Sequence, residues 1–173
     1  MTIEIIEMSL ADREQVLRIY LEGVATGQAT FEIDAPSWEE WDGGHLPFAR
    51  LVAISDGWVK GWAALGPVSR RTVYRGVAEV SVYVDRDCRG QGIGRVLLEK
   101  LIGASEKKGI WTLQASIFPQ NEASIALHKS CGFREVGVRE RIARLHGVWR
   151  NTVLLERRSK AVGNSAERGK NTA

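Results

Sequence analysis

The stretch Val82–Arg95 reads VYVDRDCRGQGIGR, and it joins two segments of different periodicity. Upstream, VAEVSVYV (Val77–Val84) is rich in β-branched and aromatic residues. As a strand it shows Val77, Glu79, Ser81 and Tyr83 on one face and Ala78, Val80, Val82 and Val84 on the other. Downstream, Arg95–Lys108 places Val96, Leu97, Leu98, Leu101, Ile102 and Ser105 at helical spacing and ends on Lys107 and Lys108 before Gly109. Between them Gly90, Gly92 and Gly94 form a turn where free backbone N–H groups meet a helix N-terminus. That junction is an anion site suited to a pyrophosphate.

Two other phosphate loops fail on spacing. A Walker loop ends in Gly-Lys-Ser/Thr, whereas Gly94 is followed by Arg95 and Val96. The dinucleotide fingerprint needs a third glycine where Leu97 stands.

Nearer the N-terminus, Thr2–Met8 has strand character, and Ser9 with Asp12 starts a helix whose apolar residues are Val16, Leu17, Tyr20, Leu21 and Val24. Ser37 and Glu40 form the capping box of a short second helix that carries Trp38 and Trp41, both read as core, and stops before Gly43-Gly44. Arg50–Ser55 and Trp58–Leu65 flank Asp56-Gly57, a strong hairpin signal. After the glycine turn and its helix, Trp111–Ile117 is a strand, and Asn121 caps a helix that runs through Ser130 and ends at Gly132. Phe133–Val138 and Val148–Leu155 are two further strands. The expected order is β, α, α, β, β, β, α, β, α, β, β, an α/β (α+β) chain with one domain over residues 1–156 and a basic polar tail over 157–173.

The net charge is +3, but the tail holds five basic residues against one acid, which leaves residues 1–156 at −1. The folded part is therefore not a basic domain, and no nucleic-acid partner is expected. The chain has no apolar run of membrane-spanning length, and with acids among its first apolar residues no signal peptide is expected. Cys88 and Cys131 stand at no metal-ligand spacing from each other or from the histidines, so no metal is expected and a reducing, cytoplasmic setting is.

Arg89, Gly92 and Gly94 spell R-x-x-G-x-G, followed by Asn121, Ser124 and LHKSCGF at Leu127–Phe133. In these motifs and in its element order, the chain resembles the GNAT superfamily of N-acetyltransferases over roughly residues 2–156. Ala29-Thr30-Phe31, Glu79–Val84, His128 and His146-Gly147-Val148-Trp149 are similar to the branch that acetylates phosphinothricin and methionine sulfoximine.

The resemblance implies a central mixed, mostly antiparallel, twisted sheet of about seven strands with about four helices. Its fourth and fifth strands splay into an acyl-CoA cleft, with a β-bulge near the end of the fourth. It implies acetyl-CoA as co-substrate, held by Arg89, Gly90, Gln91, Gly92, Ile93, Gly94 and Arg95 at the pyrophosphate. Val82 and Val84 main chain, Asn121 and Ser124 would lie along the pantetheine arm. It further implies a small amino-acid-like acceptor and a homodimer whose two subunits both wall the site.

Acetyl transfer to an amine needs a neutral amine, alignment and a donor for the developing oxyanion. Glu79, a carboxylate within an apolar strand, is the candidate base; pairing with a nearby arginine is the alternative reading. The N–H of Tyr83 or Val84 is the candidate oxyanion donor. His128 stands where many superfamily members carry an acidic tyrosine, and it is either the acid for the departing thiolate or a structural residue. Phe31, Arg71, Tyr74, Arg75, His146 and Trp149 are the candidate acceptor contacts, with solvated loop charge as the other reading of the arginines. Three functions compete: this enzyme, an acetyltransferase of a polyamine, aminoglycoside or protein N-terminus, and a non-catalytic acyl-CoA sensor.

Overall fold

The structure, a computed structural model, describes residues 2–164. In chain order the elements are β1 (Glu4–Glu7), α1 (Arg13–Ala25), α2 (Trp38–Gly44), β2 (Leu51–Ser55), β3 (Trp58–Pro67), β4 (Val77–Val84), α3 (Ile93–Lys107), β5 (Thr112–Ile117), α4 (Glu122–Ser130), β6 (Arg134–Leu145) and β7 (Val148–Arg158). The strands form one sheet in the order β1-β2-β3-β4-β5-β7-β6. Every neighbouring pair is antiparallel except β4 and β5. That exception follows from the connection: α3 carries the chain back across the sheet, which is how parallel neighbours are joined.

Strand alternation sends side chains to two cores. On one face Leu97, Leu98 and Leu101 of α3 pack on Ala63, Leu65, Ala78, Val80, Leu113, Ala115 and Leu155. On the other, Val16 and Ile19 of α1 and Trp41 of α2 pack on Val52, Val59, Trp62 and Ala64. Each fully buried Leu, Ile or Val contributes about 1.5–3 kcal/mol. The polar starts are capped as their residues dictate. The Ser9 N–H and hydroxyl both donate to Asp12 Oδ2, at 2.7 and 2.8 Å, and Ser37 and Glu40 close a capping box.

One feature of the sheet creates a cleft. β4 and β5 pair only at Val77/Thr112, Ala78/Leu113 and Glu79/Gln114, while β4 continues to Val84 and β5 to Ile117. Beyond Glu79 the two strands splay. The bulge expected near the end of β4 is not there: β3 and β4 keep one register from Gly61/Val84 to Pro67/Ala78. The sheet's irregularities lie elsewhere: one strand away, between β2 and β3, where Lys60 is the extra residue between the Gly61/Ala53 and Val59/Ile54 pairs, and at two places between β6 and β7.

The last two strands are longer than expected, and the boundary expected at residue 156 falls inside β7. The chain stays ordered past it because Arg157 and Ser159 both donate to Glu106 Oε1, at 3.0 and 2.8 Å, and Ser159 is buried. The remainder of the tail, residues 165–173, lies outside the described residues.

Candidate active site

The glycine turn after β4 is prepared by Asp85. Its Oδ1 accepts the Asp87 N–H at 3.0 Å and its Oδ2 the Arg18 guanidinium at 2.9 Å, which ties the end of β4 to α1. Burial pushes the Asp85 carboxyl up, but these bonds outweigh it and hold the group below its ordinary value. Gly90 and Gly92 follow with φ of 75° and 83°, a left-handed conformation that glycine adopts without strain. A Cβ at either would meet nothing within 4 Å among the described residues, which leave the space above the turn open. Gly92 caps α3, whose first N–H groups have no intrahelical partner. These residues fit a pyrophosphate.

A cavity of about 600 Å³ runs from this turn into the splay, lined by Arg89, Gly90, Gly92, Gly94, Arg95, Val82, Val84, Asn121 and Ser124 among others. Arg89 leans back to the Val84 carbonyl at 3.4 Å, and Arg95 pairs with Glu99 at 2.8 Å, both exposed. Gln91 donates to the Asp87 carbonyl at 3.2 Å and braces the turn. Ile93 is turned into the core, so it offers the site only its main chain.

Backbone direction distinguishes the two candidate oxyanion donors. The Asp85 N–H bonds to the Lys60 carbonyl at 2.9 Å, and the Tyr83 carbonyl lies beside Gly61, so these residues direct their main-chain groups to β3. In an antiparallel ladder this direction alternates. Tyr83 N–H is thus engaged with β3, while the N–H groups of Val82 and Val84 face the splay. Of the two donors the resemblance offered, the geometry favours Val84. The Tyr83 side chain stacks on Trp62 at 4.8 Å and 16°, and burial pushes its phenol pKa far up, so it stays neutral.

A second cavity of about 290 Å³ adjoins the first, sharing Gln28, Ala29, Val82, Tyr83, Asn121 and Ser124 with it. Its walls include Glu79, Ser81, Phe31, Phe118, Ser116, His45, His128 and Thr152. Glu79 projects from the last paired position of β4, and its Oε2 accepts Gln114 Nε2 at 2.8 Å. Its partner is an amide, not the arginine of the alternative reading. Phe31 meets Phe118 edge to face at 4.8 Å. His128 is 4% exposed, with Nδ1 2.7 Å from the Ser124 carbonyl, so Nδ1 carries the proton and donates. Burial lowers its pKa, more than that bond raises it, so the ring is neutral near pH 7. Asn121 Oδ1 caps α4 by accepting the Ser124 N–H at 3.2 Å, and its Nδ2 donates to the Gln28 carbonyl at 3.2 Å. Its amide is a fastening across the cleft as well as a wall of it.

The other acceptor candidates do not line this cavity. Arg71 lies over Tyr74 and Arg75 over Trp111, and Arg71, Tyr74 and Arg75 are exposed. His146 and Trp149 sit at the exposed tip of the β6–β7 hairpin, Trp149 under Arg144. Sequence reasoning in turn missed Gln28, Ser116, Phe118, Thr152 and His45. His45 holds Nδ1 2.6 Å from the Trp41 carbonyl, and burial lowers its pKa. Nothing in the local sequence marks these residues, since three-dimensional closure of the loop after α1 over β5 and β7 brings them together. Among the described residues no three His, Cys, Asp or Glu side chains converge as a metal site, and no helix is long and apolar enough to cross a membrane.

The same elements are matched in known proteins. The sequence profile of the acetyltransferase (GNAT) family matches residues 13–133. The chain is 38% identical over 156 residues to a phosphinothricin N-acetyltransferase of Alcaligenes faecalis, covering 84% of this chain and 77% of that one. It is 30% identical over 162 residues to an L-methionine sulfoximine/L-methionine sulfone acetyltransferase of Pseudomonas paraeruginosa, covering 90% and 94%. The crystal structure of a GNAT superfamily phosphinothricin acetyltransferase from Sinorhizobium meliloti, in complex with acetyl-CoA, superposes with a TM-score of 0.86 at 31% identity, covering 96% of this chain and 93% of that one. A likeness that runs through every element forming the cleft, on a backbone superposable over nearly its whole length, has one meaning: the chain belongs to the acetyltransferase (GNAT) family.

Proposed function

We propose that the protein transfers the acetyl group of acetyl-CoA to the α-amino group of a small amino-acid analogue of the phosphinothricin, methionine sulfoximine, methionine sulfone or arsinothricin type. The observation that carries this reading is Glu79, the one carboxylate lining the inner cavity among the described residues, standing where the splay begins. Acetyl-CoA supplies the thioester carbonyl that the amine attacks. Arg89, Gly90, Gly92, Gly94 and Arg95 hold its pyrophosphate, and the main chain of Val82 and Val84 pairs with its arm like an added strand.

Glu79 removes the ammonium proton, directly or through one water, while Gln114 fixes its orientation. Val84 N–H holds the developing oxyanion. His128, neutral and with Nδ1–H committed to Ser124, is a poor acid. None is required, because a thiol of pKa about 8.5 leaves as thiolate without much help. Phe31 and Phe118 wall the acceptor.

The cavity is lined by no Arg or Lys among the described residues, so one protomer offers no cation for an acceptor carboxylate. In this proposal Arg71, Tyr74 and Arg75 serve that end in a homodimer, with His146 and Trp149 arriving from the second copy. Supporting it, the β6–β7 hairpin exposes Val136, Val138, Ile142, Val148 and Trp149. The same cation-free lining favours one second reading, acetylation of a polyamine or another cationic amine.

The test is thiol release from acetyl-CoA with phosphinothricin, methionine sulfoximine, methionine sulfone, arsinothricin, plain amino acids and spermidine, with and without Glu79→Gln. Saturable turnover of a zwitterionic analogue that falls about 10²–10⁴-fold in the variant is expected. Turnover of spermidine alone establishes the second reading, and tight CoA binding with silence across the panel leaves an acyl-CoA sensor.

A further inference from the structure

The segment from Thr26 to Phe31 crosses the place where the two cavities meet, since Gln28 and Ala29 line both. It contains neither helix nor strand. Besides the Asn121 amide on the Gln28 carbonyl, its fastening comes from the far end of the chain. Arg150, half-buried on β7, donates from Nη1 to the Gly27 carbonyl at 3.2 Å and from Nη2 to Gln28 Oε1 at 2.9 Å and Gln120 Oε1 at 3.4 Å. The same guanidinium lies 4.2 Å from the Phe118 ring centroid, and Phe118 is the ring against which Phe31 stands. One side chain thus grips the main chain and side chain of the loop while it covers the aromatic wall beneath. Arg150 itself lines neither cavity.

We propose that Arg150 is a positioning residue that clamps the 26–31 loop over the junction of the two cavities and so keeps the amine in line with the thioester. A planar, permanently charged fork suits the task, because it bonds two loop groups and stacks on a ring at once, which an ammonium cannot do. Alignment is where such a residue acts on rate: a displacement of about 1 Å costs about 10²-fold. The inference rests on the acetyltransferase reading of the cleft and not on which acceptor is used.

The experiment compares the full chain with Arg150→Met, which keeps an apolar stem over Phe118, and with Arg150→Lys, which keeps the charge without the fork. Three quantities are read: amide hydrogen exchange at residues 27–31, the Kd of CoA, and kcat and KM with the best acceptor of the panel. In Arg150→Met, exchange in the loop is expected to speed up by at least about 10-fold. The value of kcat is expected to fall about 10–100-fold. The Kd of CoA should move less than about 3-fold, because the glycine turn still holds the pyrophosphate. Arg150→Lys should fall between the two.

Unchanged loop exchange, or kcat within about 2-fold of the unaltered protein, overturns the proposal. So does a rise in acceptor KM with kcat intact, which would make Arg150 a direct substrate contact. Exchange accelerated throughout the domain with a lowered Tm also overturns it, as a role in global stability only. If the unaltered protein acetylates nothing in the panel, the acceptor assignment fails, while the loop exchange and CoA affinity still decide the role of Arg150.

Discussion

Replacing Thr152 by valine separates what a side chain does for the fold from what it does for the acceptor. Thr152 is 2% exposed, sits opposite Arg139 in the β6–β7 ladder and lines the inner cavity. Its Oγ1 is buried and has no hydrogen-bond partner among the described residues. A buried hydroxyl left unsatisfied costs about 1–3 kcal/mol, whereas valine has nearly the same shape and no polar atom. Thr152→Val is therefore expected to stabilise the free protein by up to that amount. At about 2–4 °C per kcal/mol for a chain of this size, that is a rise in Tm of about 2–12 °C.

The catalytic effect should have the opposite sign. If the hydroxyl completes its bonding on the acceptor, its loss removes about 0.5–1.5 kcal/mol. That corresponds to a fall in kcat/KM of about 2–12-fold. Thermal unfolding of the free protein and initial rates of thiol release check the two halves independently. A lowered Tm would mean that the hydroxyl stabilises the fold, and the orphan argument would be wrong. A raised Tm with kcat/KM unchanged would remove Thr152 from the acceptor site.

Two further expectations concern the cofactor turn and pH. Gly92→Ala places a methyl at φ 83° with no protein atom within 4 Å, so only conformational strain of about 1–2 kcal/mol opposes folding. The methyl nonetheless occupies the open side of the turn, and the KM of acetyl-CoA should rise about 10-fold, read by initial rates, against a small loss of Tm. His128 is held below its ordinary pKa of 6.5 by burial, so the unfolded chain binds its proton first as pH falls. The stability it contributes is complete above pH 6.5 and declines below it, through the folded-state pKa. Denaturant midpoints taken between pH 7.5 and 5 should fall, and His128→Asn should flatten that slope.

The order of elements could be read from the sequence because each signal was local. The Asp56-Gly57 turn, the Ser37/Glu40 box and the glycines before α3 depend on residues within a few positions of one another. The open glycine turn and the place of Glu79 in the cavity wall were legible for the same reason, the first as consecutive backbone chemistry and the second as a charge out of place in an apolar alternation.

Whatever depended on pairing between distant segments was not legible. Which N–H faces the cleft was decided by the β3–β4 register and its parity, which separated Val84 from Tyr83 as candidate donors, and the β2–β3 register placed the bulge at Lys60. That Arg71, Tyr74, Arg75, His146 and Trp149 do not line the inner cavity was decided by the tertiary structure, and that Thr152 and Phe118 line it and Arg150 bonds to the loop follows from how the loop after α1 folds onto β5 and β7. The sequence by itself determined the elements, the anion turn and the carboxylate, because these are set by short-range sterics and by the cost of burying charge. Only the tertiary structure decided the direction of main-chain groups and the closure of the pocket, because both arise from contacts between residues up to 123 positions apart that no local pattern encodes.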